Sequence, residues 1–206
     1  TIVTELAQKE SLEDMIKLED LGQKLDVWDD TRKLINIFGI AAGLMFMHEY
    51  GIIHRDLKPA NILLDSHCFP KIADFGLSKI TDKQTEDTLA AQSMDGLKGT
   101  VNYMSPEVIE SQEYKPACDV YAFSIIIYQL MVEKVPYPKF NIYQIMNKVA
   151  SNYRPKFTHE IPDVYKKLIE RCWDQSADLR PTFDQIVNEL RTNELFVTEK
   201  MDKEEF

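Results

Sequence analysis

Asp56, Lys58, Asn61 and Asp74 lie in two polar runs, His54-Arg55-Asp56-Leu57-Lys58-Pro59-Ala60-Asn61 and Asp74-Phe75-Gly76. Asn61 precedes, and Asp74 follows, a pair of short apolar runs. A hairpin made of those runs brings the two residues to one end. An amide oxygen and a carboxylate are hard oxygen ligands, the kind that hold Mg²⁺ when phosphate oxygens complete the shell. Asp56, upstream on the same loop, has the chemistry to accept a proton from an attacking hydroxyl. Lys58 can hold a transferring phosphoryl group by its charge. Taken singly, Asn61 and Asp74 are ordinary turn residues, favoured by local hydrogen bonds. Joined to Asp56 and Lys58, the catalytic reading outweighs the bland one.

The elements around these residues follow from periodicity and punctuation. Thr1-Ile2-Val3-Thr4 reads as a strand, and Ser11 to Ile16 as a short helix. Asp20 to Asp30 is a polar connector. Leu34, Ile37, Phe38, Ala41, Leu44, Met45 and His48 recur at helical spacing, with Asp29 or Asp30 as N-cap and Gly51 as the C-terminal stop. The runs 52–53, 62–64 and 71–73 are strand-like, the last two as a hairpin. From Ser78 to Gly99 periodicity is absent, and a long loop is expected. Helices follow at Asp119–Val132, apolar on all sides, then at Asn141–Ala150 and Asp163–Trp173. Thr182-Phe183-Asp184-Gln185 has the form of a capping box. The resulting fold class is mainly α with a small β component.

Composition narrows the function. The chain has 206 residues and a net charge of −10. It is long enough for one sizeable core. The charge speaks against an overall basic nucleic-acid footprint and gives a polybasic membrane anchor no support, and no nucleic-acid partner is expected. The longest apolar stretch, Val120 to Val132, is too short to span a bilayer, so no membrane segment is expected. Cys68, Cys118 and Cys172 are an odd, scattered set. They suit core or surface thiols in a reducing, cytoplasmic setting rather than disulfides or a zinc site.

The two polar runs resemble the signature of protein kinases: a catalytic loop, a hairpin, Asp74-Phe75-Gly76, a long loop and then Ser105-Pro106-Glu107, in that order. Lys58 with Gly99-Thr100 ahead of Tyr103 and Met104 is similar to the serine/threonine pattern. Asp119 to Ser124, Cys172-Trp173 and Arg180-Pro181-Thr182-Phe183 resemble the tyrosine-kinase-like group. The resemblance implies transfer of the ATP γ-phosphate to protein Ser/Thr hydroxyls. Asp56 would be the base, Lys58 the γ-phosphate contact, and Asn61 and Asp74 the Mg²⁺ ligands. Glu5 and Ala7 would face adenine from the hinge, with Thr4 as gatekeeper. Leu63 would lie beneath the ring, and Ser11 near the ribose. Thr100 would line the hydroxyl site. Glu107 would pair with Arg180, and Asp119 would cap its helix and hold the catalytic-loop backbone. His54 would pack under Phe75.

The resemblance also implies a protein substrate, and activation by an upstream kinase or by autophosphorylation. Thr81, Thr85, Thr88 and Ser93 are candidate phosphosites. Ser105 and Ser124 depart mildly from the family pattern. The large departure is that no Gly-rich phosphate loop and no strand lysine precede the hinge; the first glycine is Gly22. The expectation is therefore a partial kinase domain over 1–192, hinge plus large lobe with the small lobe largely absent, and an acidic tail over 193–206 that frays. On its own such a chain is expected to be inactive. The rival reading is a noncatalytic fragment or pseudokinase-like binding scaffold, which has no need of all four polar residues.

Overall fold

The chain's helices start where short polar side chains can cap them. Ser11 and Asp14 form a capping box for α1 (Leu12–Asp20), and Asp29 accepts from the backbone N–H of Arg32 at the start of α2 (Asp30–Glu49). The computed structural model describes residues 10–23, 27–80, 100–111 and 114–198. Gly51, with φ of +67°, ends α2 as a residue without Cβ can. Two short antiparallel pairs follow. β2 (Ile62–Leu64) pairs with β3 (Pro70–Ile72), with Ile62 opposite Ile72. β1 (Ile52–Ile53) pairs with β4 (Lys79–Ile80).

The remainder is helical: α3 (Pro106–Ser111), α4 (Pro116–Val132), α5 (Ile142–Ala150), α6 (Asp163–Cys172) and α7 (Phe183–Thr192). α4 is the central element. Tyr121, Phe123, Ile125, Ile126, Ile127 and Leu130 on it are fully buried, so it is apolar all round because it is covered all round. α2 packs against α4 and α7, and α6 closes over α4. Asn141 and Thr182 form capping boxes at the starts of α5 and α7, the second as the sequence predicted. The architecture is the mainly helical one expected, with few short strands.

Several expectations need correction. α4 begins at Pro116, ahead of Asp119, because proline at the first helical position is pre-set for the helix. Asp119 therefore lies a turn inside α4 and does not cap it. The long loop expected from Ser78 opens with β4, too short a strand to show periodicity. α3 carries no amphipathic stripe long enough to be read. Residues 193–198 do not fray: Glu194–Phe196 form a 3-10 turn, Phe196 is fully buried, and Tyr165 donates to its carbonyl at 2.9 Å. The opening strand, the four candidate phosphosites and the end of the tail lie outside the described residues.

Candidate active site

The loop between β1 and β2 is built around one carboxylate. Asp119, 1% exposed on α4, accepts from the backbone N–H of His54 at 2.8 Å and of Arg55 at 3.0 Å. His48, at the end of α2, lies 2.9 Å from Oδ2, the oxygen that also accepts from His54, while Arg55 is held by Oδ1. Two chain N–H groups are thus fixed by a buried charge on the central helix, the strong kind of hydrogen bond. Arg55 sits at φ +71°, a left-handed conformation that costs a non-glycine residue roughly 1–3 kcal/mol and persists only where its surroundings enforce it. His54 is fully buried. Its Nε2 bonds the carbonyl of Ala73 at 3.0 Å and its ring lies 5.8 Å from that of Phe75. That contact ties the loop to the segment carrying Asp74.

Asp56 follows at once. Lys58 Nζ lies 2.8 Å from its Oδ2 and 3.0 Å from Thr100 Oγ1. Asn61 Nδ2 donates to the Asp56 carbonyl at 2.7 Å and to Oδ2 at 3.0 Å. Asp56 Oδ1 is buried and, among the described residues, has no hydrogen-bond partner. It is an acceptor left open, the kind of atom to which an incoming hydroxyl donates. One oxygen of Asp56 therefore orients the carboxylate and the other remains available.

The hairpin places the remaining pair. Ala73 N–H donates to the Asn61 carbonyl at 2.9 Å, one step beyond the Ile62–Ile72 register, so Asn61 and Asp74 emerge at the same end. Asp74 adopts φ +61°, and its Oδ1 accepts loosely from Gly76 N–H at 3.4 Å. Because the Asn61 amide nitrogen is committed to Asp56, its oxygen is the end left for a cation. An amide oxygen and an exposed carboxylate fit Mg²⁺, with nucleotide oxygens and water completing the octahedron. Among the described residues, no three His, Cys, Asp or Glu side chains converge on a metal site of their own.

Of the residues assigned to ATP, Ser11 and Leu63 face each other across an isolated antiparallel bridge. Ser11 also caps α1, with its Oγ 2.6 Å from Asp14. Thr4, Glu5 and Ala7 lie outside the described residues.

The segment leading from Thr100 is anchored on both sides. Tyr103 donates to Gln129 of α4, and burial raises the phenol's pKa far above its usual range. Arg180, its side chain fully buried, grips both Glu107 oxygens at 2.7 and 2.8 Å and donates to the carbonyls of Asp174 and Ala117. Burial alone would raise the Glu107 carboxyl's pKa, yet the guanidinium beside it holds it below the usual range.

The residue types, order and hairpin geometry point to one family, and comparison with known proteins agrees: residues 1–190 match the protein kinase domain. The chain belongs to the protein kinase family. This kinase domain is 36% identical over 203 residues to receptor-interacting serine/threonine-protein kinase 4 of Mus musculus, covering 91% of this chain and 24% of that protein. It is 36% identical over 152 residues to serine/threonine-protein kinase STY17 of Arabidopsis thaliana, covering 73% and 25%. It is 36% identical over 154 residues to dual specificity protein kinase shkA of Dictyostelium discoideum, covering 73% and 29%. The chain thus spans less than a third of the length of the curated relatives it matches.

Sequence reasoning named Asp56, Lys58, Asn61 and Thr100, which the structure links through Lys58 and Asn61, and Asp119, which holds the backbone of the two residues before Asp56. It missed His48 and Gln129. His48 was visible only as a polar residue on the apolar stripe of a helix, and Gln129 as a polar residue in an apolar helix. Neither position names its partner.

Proposed function

We propose that this chain is the hinge and large lobe of a serine/threonine protein kinase of the tyrosine-kinase-like group. The parent protein would transfer the γ-phosphate of Mg-ATP to Ser or Thr hydroxyls of a protein substrate. The observation that carries the reading is Lys58 bridging Asp56 and Thr100, which puts a proton acceptor and a hydroxyl-lining residue each within hydrogen-bond reach of a phosphate-holding cation. Asp56 orients the substrate hydroxyl and takes its proton. Lys58 offsets charge on the phosphoryl group in flight, and Asn61 and Asp74 hold magnesium. Leu63 and Ser11, with Thr4, Glu5 and Ala7, form the floor and hinge for the nucleotide. The phosphate-gripping loop and lysine, which have no counterpart in this sequence, are supplied from outside it. A cytoplasmic location accords with three buried free thiols.

The test is Asp56→Asn in the full-length protein that carries this chain. The substitution retains the shape and the contact to Lys58 but removes the base. Phosphate transfer to a generic protein substrate should fall on the order of 10²–10⁴-fold in kcat. Analysis of the product should find phosphoserine or phosphothreonine; phosphotyrosine beside them would move the assignment to dual specificity. Transfer at the wild-type rate by the variant would overturn the role of Asp56. A wild-type protein without any transfer would favour the noncatalytic scaffold.

A further inference from the structure

The connector between α4 and α5 forms a wall shared by two cavities. Val135, Tyr137, Pro138 and Phe140 line both. The first cavity, about 480 Å³, begins at Val101 and Asn102, directly after Thr100, and runs along α5. Among the described residues that line it, none is charged. The second, about 400 Å³, has a different character. Its walls are aromatic: Tyr128, Tyr137, Phe140 and Tyr153, with Phe140 edge-on to Tyr153 at 5.9 Å. Its rim is cationic: Lys134, Lys139 and Lys156, all exposed. Asp20 is the carboxylate among the described lining residues, and it is already paired with Lys134. A further cation, Lys148, stands 4.4 Å over the Phe140 ring and 4.6 Å over that of Tyr153.

This concentration of positive charge runs against the molecule as a whole, whose net charge is −10. Ring faces favour an apolar or aromatic group at the centre of the cavity, and the volume is that of a ligand site. The lysines favour carboxylates at its edges and repel a basic occupant. Tyr137 is nearly fully buried although its φ is +57°, so packing holds the shared wall in a conformation the backbone alone disfavours.

We propose that the lysine-rimmed cavity docks an acidic segment bearing an aromatic side chain on the protein substrate of this kinase. The inference rests on the kinase reading above. Continuity selects a polypeptide over a small anion: a chain seated among the lysines crosses the shared wall into the neutral groove, and that groove ends beside Thr100. The site thereby recruits substrates by a segment away from the phosphorylated residue. Affinity comes from the buried ring, and partner choice from charge.

The experiment has a binding arm and a turnover arm, both on the full-length protein. In the first, fluorescein-labelled peptide Glu-Asp-Glu-Trp-Glu-Asp-Glu is titrated without ATP and followed by anisotropy. It should bind, and binding should weaken with added salt. The analogue with Ala for Trp, and the charge-reversed peptide Lys-Arg-Lys-Trp-Lys-Arg-Lys, should each bind at least about tenfold more weakly. The variant K139E/K156E, which alters exposed side chains only, should lose affinity for the acidic peptide by a similar factor. In the second arm, a phosphoacceptor peptide is assayed with and without the acidic segment appended. The segment should lower KM without changing kcat, and K139E/K156E should abolish that advantage while leaving turnover of the plain peptide unchanged. Equal binding of acidic and basic peptides, or undiminished binding by the variant, would overturn the docking site. Binding without any effect on KM would overturn its assignment to substrates. A failure to turn over either peptide would count against the kinase reading, and the binding arm would still decide the cavity.

Discussion

At the scale of single residues, this molecule relies on charges taken partly out of water and each given a designated partner. Arg180 is one of them, its side chain fully buried. Its removal would leave Glu107 half-buried and unpaired, and breaking such a pair costs about 3–5 kcal/mol, a large part of ordinary domain stability. Urea unfolding of Arg180→Ala should show a midpoint well below that of the wild type. The pair also sets a pH dependence. The carboxyl of Glu107 is held below its usual range in the folded chain, so the folded state binds fewer protons there than the unfolded state. Its contribution is full above the ordinary glutamate pKa and is lost as pH falls through the lowered folded value. Arg180→Ala should flatten the acid limb of the stability profile. Arg55 presents the opposite case: its Nε is buried with no hydrogen-bond partner among the described residues, while its guanidinium lies over Tyr114. A phosphate on the segment after Ile80 would supply charge-assisted bonds to it. Activity of the full-length protein should therefore fall after phosphatase treatment, and Arg55→Ala should blunt that fall. Equal activity before and after complete dephosphorylation would dismiss the idea.

Among the elements, α2 and β3 approach each other closely at two glycines. A Cβ added at Gly39 would sit 2.7 Å from Cγ of Pro70, and one at Gly43 would sit 2.8 Å from Cδ1 of Ile72. The two distances are alike, but the neighbours differ. The Ile72 methyl ends a side chain that can rotate, whereas the Pro70 ring cannot. Alanine gains about 1 kcal/mol over glycine inside a helix, and overpacking costs about 1–3 kcal/mol. At Gly43 the two effects should nearly cancel. At Gly39 the strain should win and push the hairpin away from α2. Because that hairpin carries Asn61 and Asp74 together at its open end, Gly39→Ala should lower both Tm and the affinity for magnesium-nucleotide, and Gly43→Ala should change either only slightly. A Gly39→Ala protein as stable as the wild type would mean that the helix and hairpin slide apart freely.

For the whole molecule, the core comes from the chain's own residues. One large cluster spans the helices, with a small satellite of Ile53, Val108 and Cys118 behind the catalytic loop. The 206-residue chain should therefore fold alone and unfold in urea as a cooperative unit. Phosphoryl transfer depends on positioning and electrostatics at every phosphate, and the proposed floor contacts only part of the nucleotide. The isolated chain should therefore show native circular dichroism yet no detectable transfer at millimolar Mg-ATP. Turnover by the isolated chain would refute the proposed need for residues outside it.

What the sequence determined by itself was the family and the order of its candidate residues along the chain. Asp56, Lys58, Asn61 and Asp74 could be singled out as candidates because residue types able to do such chemistry are few and their spacing across a hairpin is short and local. The long helices were legible because a buried stripe repeats at a period that any sequence displays, and their caps because the capping side chain lies next to the N–H groups it satisfies. Tertiary structure alone decided which distant groups hold that chemistry in place. Asp119 was expected both to cap its helix and to hold the catalytic-loop backbone; Pro116 starts the helix earlier, so the carboxylate does only the second, fixing two N–H groups far upstream. His48 and Gln129 gained partners that no spacing rule names. β4 is two residues long and exists because β1 lies opposite it. The lysine-rimmed cavity gathers residues from helices and connectors spread across the second half of the chain together with Asp20. Local preferences act through neighbours in sequence, whereas a charge inside a core or an aromatic wall depends on what the fold brings within a few ångströms.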